Sequence, residues 1–505
     1  MSTHAGKATK RRELRVWRAA VVAVLLAALP MLPLSDFTVD DAWVPVRYAR
    51  SLAMGQGYRP SAGAQVTDGV TPLGFAHALV PFAKLGAMQA HAAARIGGAL
   101  LWLVAAAALG ACIARLDGAR TRFAALALVA TSAPVAGWAL AGLETGIVTA
   151  VVAFAVVLRE RGTAKVGATL GGLAAAWRPE LLPSVVVLAF ASGPAKADPQ
   201  RGEATPLARA IRVVLAVAPA LIVAATRFAW FGRAAPLSVH AKLPQLSAGI
   251  AYAGAASLLA GYAAIVAPRG LIRADGWTRA LALAVLVHVA AMAFAGGDWM
   301  PLARLAVPMC PVVVLAAARL LAVPTKPAIL AVLPCALALA FQIFGFWRAL
   351  PAVDHIERDR RALIVEMRPV LEGSQTIAGV DVGWLAVAAE HARIVDLAGI
   401  TDPTVAAIPG GHTTKRLPRT FFDDRAVDTI VLLLGKGGAD EDAAAAWPDR
   451  RFSRGTEAWA ASIPELRNCF ELAYSSTTRT RYVVVKRKPS SSKKCQEPAP
   501  QEPEP

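Results

Sequence analysis

Charge is scarce in this chain of 505 residues, and acidic charge scarcest: charged residues make up 17%, with 35 Asp and Glu against 53 Lys and Arg. Aromatic residues reach only 7%, and the five cysteines show no metal-ligand spacing. So little charge, set beside 56% apolar residues and a mean hydropathy of +0.48, excludes an ordinary soluble globule. That cysteine spacing offers no metal site. Cys112, Cys310 and Cys335 lie in apolar runs, where a buried thiol acts as a small hydrophobe, whereas Cys469 and Cys495 could pair outside the cytoplasm. No second copy of the Asp40-Asp41 segment or of the Gly297-Asp298-Trp299 segment occurs, which counts against a transporter built from internal repeats.

What is abundant is long apolar sequence. Runs at roughly 17–34, 92–114, 123–139, 141–158, 164–177, 181–192, 210–229, 250–268, 279–295, 303–322 and 328–348 predict about eleven transmembrane helices. The formal charge of +18 suggests nucleic acid at first sight, but the cations sit mainly in short loops between these runs, so no nucleic-acid partner is expected. With the basic stretch Lys7 to Arg18 in the cytoplasm, alternation places Arg115 to Arg122, Arg159 to Lys165, Lys196 to Arg212, Arg269 to Arg279 and Arg319 to Lys326 on the same side. Every one of these loops is basic, as the positive-inside tendency requires. The run Val21 to Pro33 resembles a signal peptide, but Asp36 to Asp41 offers no small-residue cleavage pattern, so it reads as an uncleaved first helix. Pro72 to Met88 is read as a re-entrant or interfacial helix, because a twelfth span would reverse every later loop.

The expected organisation is a basic N-terminus at 1–16, a membrane domain at 17–348 with an outer loop at 35–91, an α/β domain at 349–488 and a disordered tail at 489–505. Strands are predicted at Thr376 to Val380, Ala392 to Asp396, Thr429 to Leu434 and Tyr482 to Lys486, and a helix at Val353 to Leu371. By parity the α/β domain lies outside the cytoplasm. The expected location is the inner membrane, crossed many times, with the C-terminal domain periplasmic and membrane lipids around the spans.

The same parity gathers the unusual polar residues on the outer side. They are Asp40 and Asp41, Glu144, Arg178 and Glu180, the loop residues Arg233, His240 and Lys242, and Asp298, Trp299 and Arg304. Ionisable groups near hydrocarbon usually face a cavity or one another. Glu144 could salt-bridge Arg178, Arg304 could anchor at the interface, and Asp298 could cap a helix beginning near Pro301. Trp299 could be a belt aromatic and His240 a bridge between loops. One of the two aspartates could pair with Arg47, leaving the other unexplained. Arg233, Lys242 and Arg304 are candidates for holding a phosphate, and Asp40 or Asp41 for taking a proton from an attacking hydroxyl.

These segments have a family pattern. The stretch Phe37 to Tyr58 resembles the first outer loop of the GT-C class of membrane glycosyltransferases, nearest to the mycobacterial-type terminal arabinofuranosyltransferases. Asp68-Gly69-Val70-Thr71-Pro72-Leu73, Gly142-Leu143-Glu144-Thr145, Arg178-Pro179-Glu180, the Phe231 to Lys242 loop and Gly296-Gly297-Asp298-Trp299-Met300 follow that group in order and spacing. So do Asp381 to Leu385, Ile394 to Pro403 and Gly411-His412, which extends the resemblance over about residues 35–435.

The resemblance implies a GT-C type polytopic α-helical fold. It also implies a polyprenyl-phosphate sugar donor and inverting transfer to a cell-envelope glycan acceptor on the periplasmic side. Asp40 and Asp41 match the family's catalytic carboxylate. Arg233, Lys242 and Arg304 fall to the donor phosphate, and Glu144, Arg178, Glu180, His240, Asp298, Trp299 and His412 to sugar, acceptor or orientation. Some members use a divalent cation such as Mg, Mn or Ca, for which Asp40 and Asp41 are the candidate ligands here. Trp230-Phe231, Pro236-Leu237-Ser238 and His240 depart from the arabinofuranosyl pattern, so the sugar stays open. Transfer to lipid A or protein, and transport of a lipid-linked sugar, stand as alternatives.

Overall fold

The computed structural model describes residues 2–116, 133–194, 205–241, 245–266, 268–323, 329–435 and 447–489. The chain forms two compact units: Met1–Val39 with Ala92–Thr226 and Pro244–His355, and Asp40–His91 with Arg227–Leu243 and Ile356–Pro505.

The first unit is helical. Among the described residues, five helices of the chain are long and apolar enough to cross a membrane: Lys10–Met31, Ala87–Ile113, Pro206–Phe231, Gly276–Phe294 and Val332–Leu371. They coincide with five of the eleven expected spans. The apolar window of Pro206–Phe231 is only 11% buried, and Leu221, Ile222 and Phe228 stand exposed along it. An outward apolar stripe of that length is what a lipid-facing helix presents. The other expected spans are shorter, namely Thr145–Glu160, Ala164–Trp177, Leu182–Phe190, Leu246–Leu259 and Cys310–Ala322, and the run 123–139 is described only from Ala133 onward. Proline explains the break between two of them: Arg178, held extended before Pro179, ends one helix before the next begins at Leu182.

The second unit gathers three stretches of sequence. Its sheet has the order β2-β1-β3-β5-β4, with β1 (Thr376–Gly379), β2 (Arg393–Asp396), β3 (Thr429–Leu433), β4 (Phe470–Ser475) and β5 (Tyr482–Arg487). Strand β1 pairs parallel with β2 and β3, and β5 runs antiparallel to both β3 and β4. Four strands lie where the apolar β-branched runs predict them. Strand β4 does not announce itself, because it is an edge strand whose Glu471, Leu472 and Ala473 are exposed, so it lacks the inward alternation of a buried strand. The expected helix over 353–371 is found at Ile356–Leu371. A core of Val395, Leu397, Phe422, Ile430, Leu432 and Val485 packs on the sheet. The helix Phe75–Ala83 has nine residues, about 14 Å of rise, and so falls well short of crossing hydrocarbon.

The thiols behave as their surroundings dictate. Cys112, Cys310 and Cys335 are buried and free, while Cys469 is disulfide-bonded; Cys495 lies outside the described residues.

One buried carboxylate fixes the turn after β2. Asp396 Oδ1 accepts from the N–H groups of Ala398 (2.8 Å) and Gly399 (3.1 Å), and Oδ2 accepts from Thr401 N (2.6 Å) and Thr401 Oγ1 (3.0 Å). The turn is packed against the first-loop segment. A Cβ on Gly69 would fall 2.6 Å from Tyr48 Oη and 2.7 Å from Thr401 Cγ2, so this approach requires glycine. Replacing Asp396 with Asn turns an amide NH2 toward at least one of these donors. D396N is expected to lose about 2 kcal/mol or more of stability; an unchanged thermal midpoint in detergent would remove this turn from the account.

Candidate functional site

The candidate residues separate into two groups, one in each unit. In the helical unit, Glu144 is fully buried at the start of Thr145–Glu160. Its Oε1 accepts from Arg178 Nη1 at 3.0 Å and from Arg304 Nη2 at 3.3 Å. Arg178 Nε also donates to Glu180 Oε1 at 2.7 Å, and Arg304 Nη1 lies 3.7 Å from Asp298 Oδ2. The expected Glu144–Arg178 salt bridge is therefore one link in a network of three carboxylates and two guanidiniums. Mutual pairing of this kind offsets the cost of burying each charge.

Arg304 does not sit one turn into a helix. It lies in a run of turns at 301–306, ahead of the 3₁₀ turn Val307–Met309. Leu302 and Ala303 there have φ of 55° and 51°, a strained backbone for residues with a Cβ. Trp138 holds this segment by donating Nε1 to Leu302 O at 3.0 Å and by lying under the Arg304 guanidinium. Asp298 does not cap a helix at Pro301; its Oδ1 accepts from Met300 N at 3.4 Å. Trp299 is 53% exposed.

In the second unit, Asp40 opens a short 3₁₀ turn, Asp40–Ala42, and its carboxylate ends on a helix 343 residues away. Oδ2 accepts from Gly383 N at 2.9 Å and Oδ1 from Trp384 N at 3.1 Å. The first N–H groups of any helix lack partners inside it. Asp381 is placed to cap the helix Val382–Ala388 but makes no cap bond; its carboxylate accepts both Arg454 Nη2 contacts, at 2.8 and 2.9 Å, and the Tyr482 hydroxyl. Asp40 supplies the missing cap from outside. The fit is close, because a Cβ on Gly383 would lie 2.1 Å from Asp40 O.

Burial pushes the Asp40 carboxyl up to about 7, and the nearby Asp381 adds to that, against the pull of Arg360 and the Trp384 N–H. Burial also pushes Asp381 up, but Arg454 and Arg360 outweigh it and hold that group below the usual carboxylate range. Asp41, next in the chain, is only half-buried.

Arg47 is not the partner of either aspartate. It donates Nη2 to Glu390 O at 2.7 Å, and the neighbouring Arg50 donates Nε to Glu390 Oε2 at 3.1 Å.

The remaining loop segments meet one another in this unit. Arg227 Nε lies 2.8 Å from Asp68 Oδ2, and Arg227 Nη2 donates to Thr71 O. Leu237 N donates to Asp68 O at 3.2 Å, and Thr71 Oγ1 is 3.0 Å from Ser238 Oγ. Burial raises Asp68 to about 6 despite Arg227 and Arg233 nearby. Arg233 is half-buried, His240 is exposed at the end of Leu237–His240, His412 is half-buried in a turn, and Lys242 lies outside the described residues.

Arg360, Asp381, Arg454 and Tyr482 around Asp40 went unforeseen as a group. Asp381 stood in a recognised segment, but the sequence gives no signal for which distant side chains would reach it.

The residues present do not form a cation cage at the aspartate pair. Asp40 is committed to two backbone donors, and no group of three ligand atoms among the described residues includes Asp40 or Asp41. The group that does occur is Asp36, Asp354 and His355, whose ligand atoms lie within 4.8 Å of one another in the helical unit.

No protein-family model matches the chain, and no curated protein matches it. Among solved structures, it is similar to ArnT from Cupriavidus metallidurans in the apo state, at 14% identity and a TM-score of 0.49, over 95% of this chain and 98% of that one. ArnT from the same organism bound to undecaprenyl phosphate is similar at 14% identity and a TM-score of 0.49, over 96% and 99%. The Archaeoglobus fulgidus oligosaccharyltransferase in complex with Zn and sulfate follows at 14% identity and a TM-score of 0.37, over 82% of this chain and 67% of that one.

The raised Asp40 carboxyl carries a pH signature. Its ordinary value is 3.8 and its folded value about 7, so between the two the folded state holds the proton more tightly than the unfolded chain does. Stability from this group is present at low pH within that window and is lost as pH rises through about 7. D40N removes the titration. Its thermal midpoint should fall less between about pH 5 and about pH 8 than that of the wild type; parallel pH profiles would show that Asp40 does not titrate there.

Proposed function

We propose that this protein is an inverting glycosyltransferase of the GT-C type, which moves a sugar from a polyprenyl-phosphate donor to a cell-envelope glycan on the periplasmic face of the inner membrane. One observation carries the reading. The first-loop aspartates, the Asp68–Leu73 segment, the loop from Phe231 and the Asp381 and Asp396 segments lie in one compact unit, tied by direct bonds, although up to 344 residues separate bonded partners.

The geometry supports different roles for the two aspartates. Asp40 has both oxygens on backbone N–H groups of the helix Val382–Ala388, so it is the positioning residue. Asp41 is the more accessible neighbour and takes the catalytic role. An acceptor hydroxyl attacks the anomeric carbon as Asp41 removes its proton. The bond from that carbon to the phosphate oxygen breaks, and polyprenyl phosphate departs with the electron pair. Attack from the face opposite the leaving group inverts the anomeric centre. Arg233, which lies near enough to Asp68 to lower it, is the cation assigned to the donor phosphate. Arg304 already serves Glu144 and Asp298, so its recruitment to a phosphate would require giving up a carboxylate partner.

The purified protein, incubated with a panel of polyprenyl-phosphate sugars including the arabinofuranosyl one, should transfer at least one sugar. D41N should lower the rate by roughly 10²-fold or more, in keeping with loss of a general base. D40N should retain measurable transfer and lose stability. Undiminished transfer in D41N would refute the assignment. Movement of the intact lipid-linked sugar across vesicles, with no glycosidic product, would replace it with transport.

The sidedness follows from loop charge and is tested by cysteine labelling. The free thiols among the described residues are buried, so single cysteines introduced at exposed Thr163 and Ser462 report on the two sides. Impermeant reagent added outside spheroplasts should label position 462 and spare 163; the reverse pattern would invert the topology.

A further inference from the structure

The second unit contains a cavity of about 690 Å³ that the aspartate centre does not use. That is within the ~300–1,000 Å³ range of small-ligand sites. It lies beside the edge strand β2 and the loop around residue 61, which are fastened together by Ile394 N donating to Ser61 Oγ at 2.9 Å. Arg59, Gln65, Arg393, Thr401, Asp402 and Arg425 contribute to its walls.

Their charges do not cancel. Arg425 is spent on Asp402, Nη1 to Oδ2 at 2.5 Å, and its guanidinium also covers the Phe421 ring. Asp402 Oδ1 is spent on the N–H groups of Thr404 and Val405. Asp424, the other acid of the wall, accepts from the Thr420 hydroxyl at 2.8 Å. Arg59 donates Nη1 to Ala64 O, leaving a buried Nε with no partner among the described residues. Arg393 is exposed, and among the described residues its side chain makes no hydrogen bond or ion pair. The cavity thus offers two guanidiniums with unused donors, together with the Gln65 amide and the Thr404 side chain on its walls. Guanidinium donors favour carboxylate and phosphate oxygens, and side-chain amides and hydroxyls suit sugar hydroxyls.

We propose that this cavity is the acceptor subsite and that it binds an anionic oligosaccharide, whose carboxylate or phosphate is held by Arg59 and Arg393. The identification as acceptor rests on the glycosyltransferase reading above; the anionic-glycan site itself does not. Thr401 links the two regions of the unit, since it lines the cavity and also packs on Gly69 beside Tyr48.

The test uses the full-length protein in detergent at low salt and reads binding by calorimetry. The probes are tetragalacturonate, a mannotetraose bearing one terminal phosphate, and neutral maltotetraose. At least one anionic probe should bind, and the preferred one identifies carboxylate or phosphate as the recognised group. Binding should weaken with added salt. R59Q and R393Q should each weaken it by about tenfold, the worth of one charge-assisted contact. Arg393 is exposed, so R393Q tests the site without disturbing the fold. Equal binding of maltotetraose, unchanged affinity in R393Q, or no binding of either anionic probe would overturn the proposal. Binding with these properties in a protein that transfers no sugar from any donor would uphold the anionic site and reject the transferase. Transfer to a neutral glycan at a rate indifferent to R59Q and R393Q would do the opposite.

Discussion

A carboxylate at residue 40 capping a helix that begins at residue 382 is the constraint on which the second unit turns. Two N–H groups at the start of Val382–Ala388 need an acceptor, and the local candidate, Asp381, is held by Arg454 and Tyr482. Asp40 fills the gap and thereby ties the first loop to the C-terminal sheet region. Other bonds follow the same line. Arg47 and Arg50 both reach Glu390, Ser61 meets the β2 backbone, and Gly69 packs on the turn built around Asp396. Taken one at a time these are contacts of about 1 to 3 kcal/mol. Together they set the first loop against β2 and the helix after β1.

The helical unit solves a different electrostatic problem. Removing charges from water costs several kcal/mol per ion, and the charges of Glu144, Arg178, Glu180, Asp298 and Arg304 offset much of that by sharing partners. Glu144 sits at the centre, with one oxygen serving both arginines. The strained backbone at Leu302 and Ala303 is retained because it presents Arg304 to Glu144 and to the Trp138 ring at once. Such strain persists only where the surrounding contacts over-determine it. The result is a network whose two arginines are already committed to carboxylates, which is why the proposed mechanism looks to Arg233 for the donor phosphate.

How much of this could be read in advance depends on whether the signal was local. The long spans were legible because apolar length is a property of one segment, and four strands because β-branched runs are too. Edge strand β4 escaped, since its exposed Glu471 and Leu472 erase the alternation that marks a buried strand. Arg178 before Pro179 gave away its extended backbone, and its pairing with Glu144 followed from opposite charge at neighbouring helix ends. The path of the chain from Met300 to Leu305 did not, because a left-handed conformation at Leu302 and Ala303 is the reverse of what those residues prefer. Nor could the environments of Asp40 and Asp41 be separated by sequence. They are chemically identical and adjacent, and the distinction lies in two N–H groups more than 340 residues away.

That distinction also answers a physical difficulty raised by the pair itself. Two adjacent carboxylates both open to a substrate would repel each other and compete for the same proton. Fixing one on a helix terminus confines it to a defined place, and its raised protonation equilibrium lessens the charge beside its neighbour at neutral pH. In the proposed mechanism the neighbour then works against a positioned group rather than a mobile anion. The same arrangement recurs at the cavity by β2, where Asp402 neutralises Arg425 and caps the helix Pro403–Ala407, leaving Arg59 and Arg393 to outweigh the one remaining acid, Asp424. In both places an aspartate committed to backbone donors determines what its neighbours are able to do.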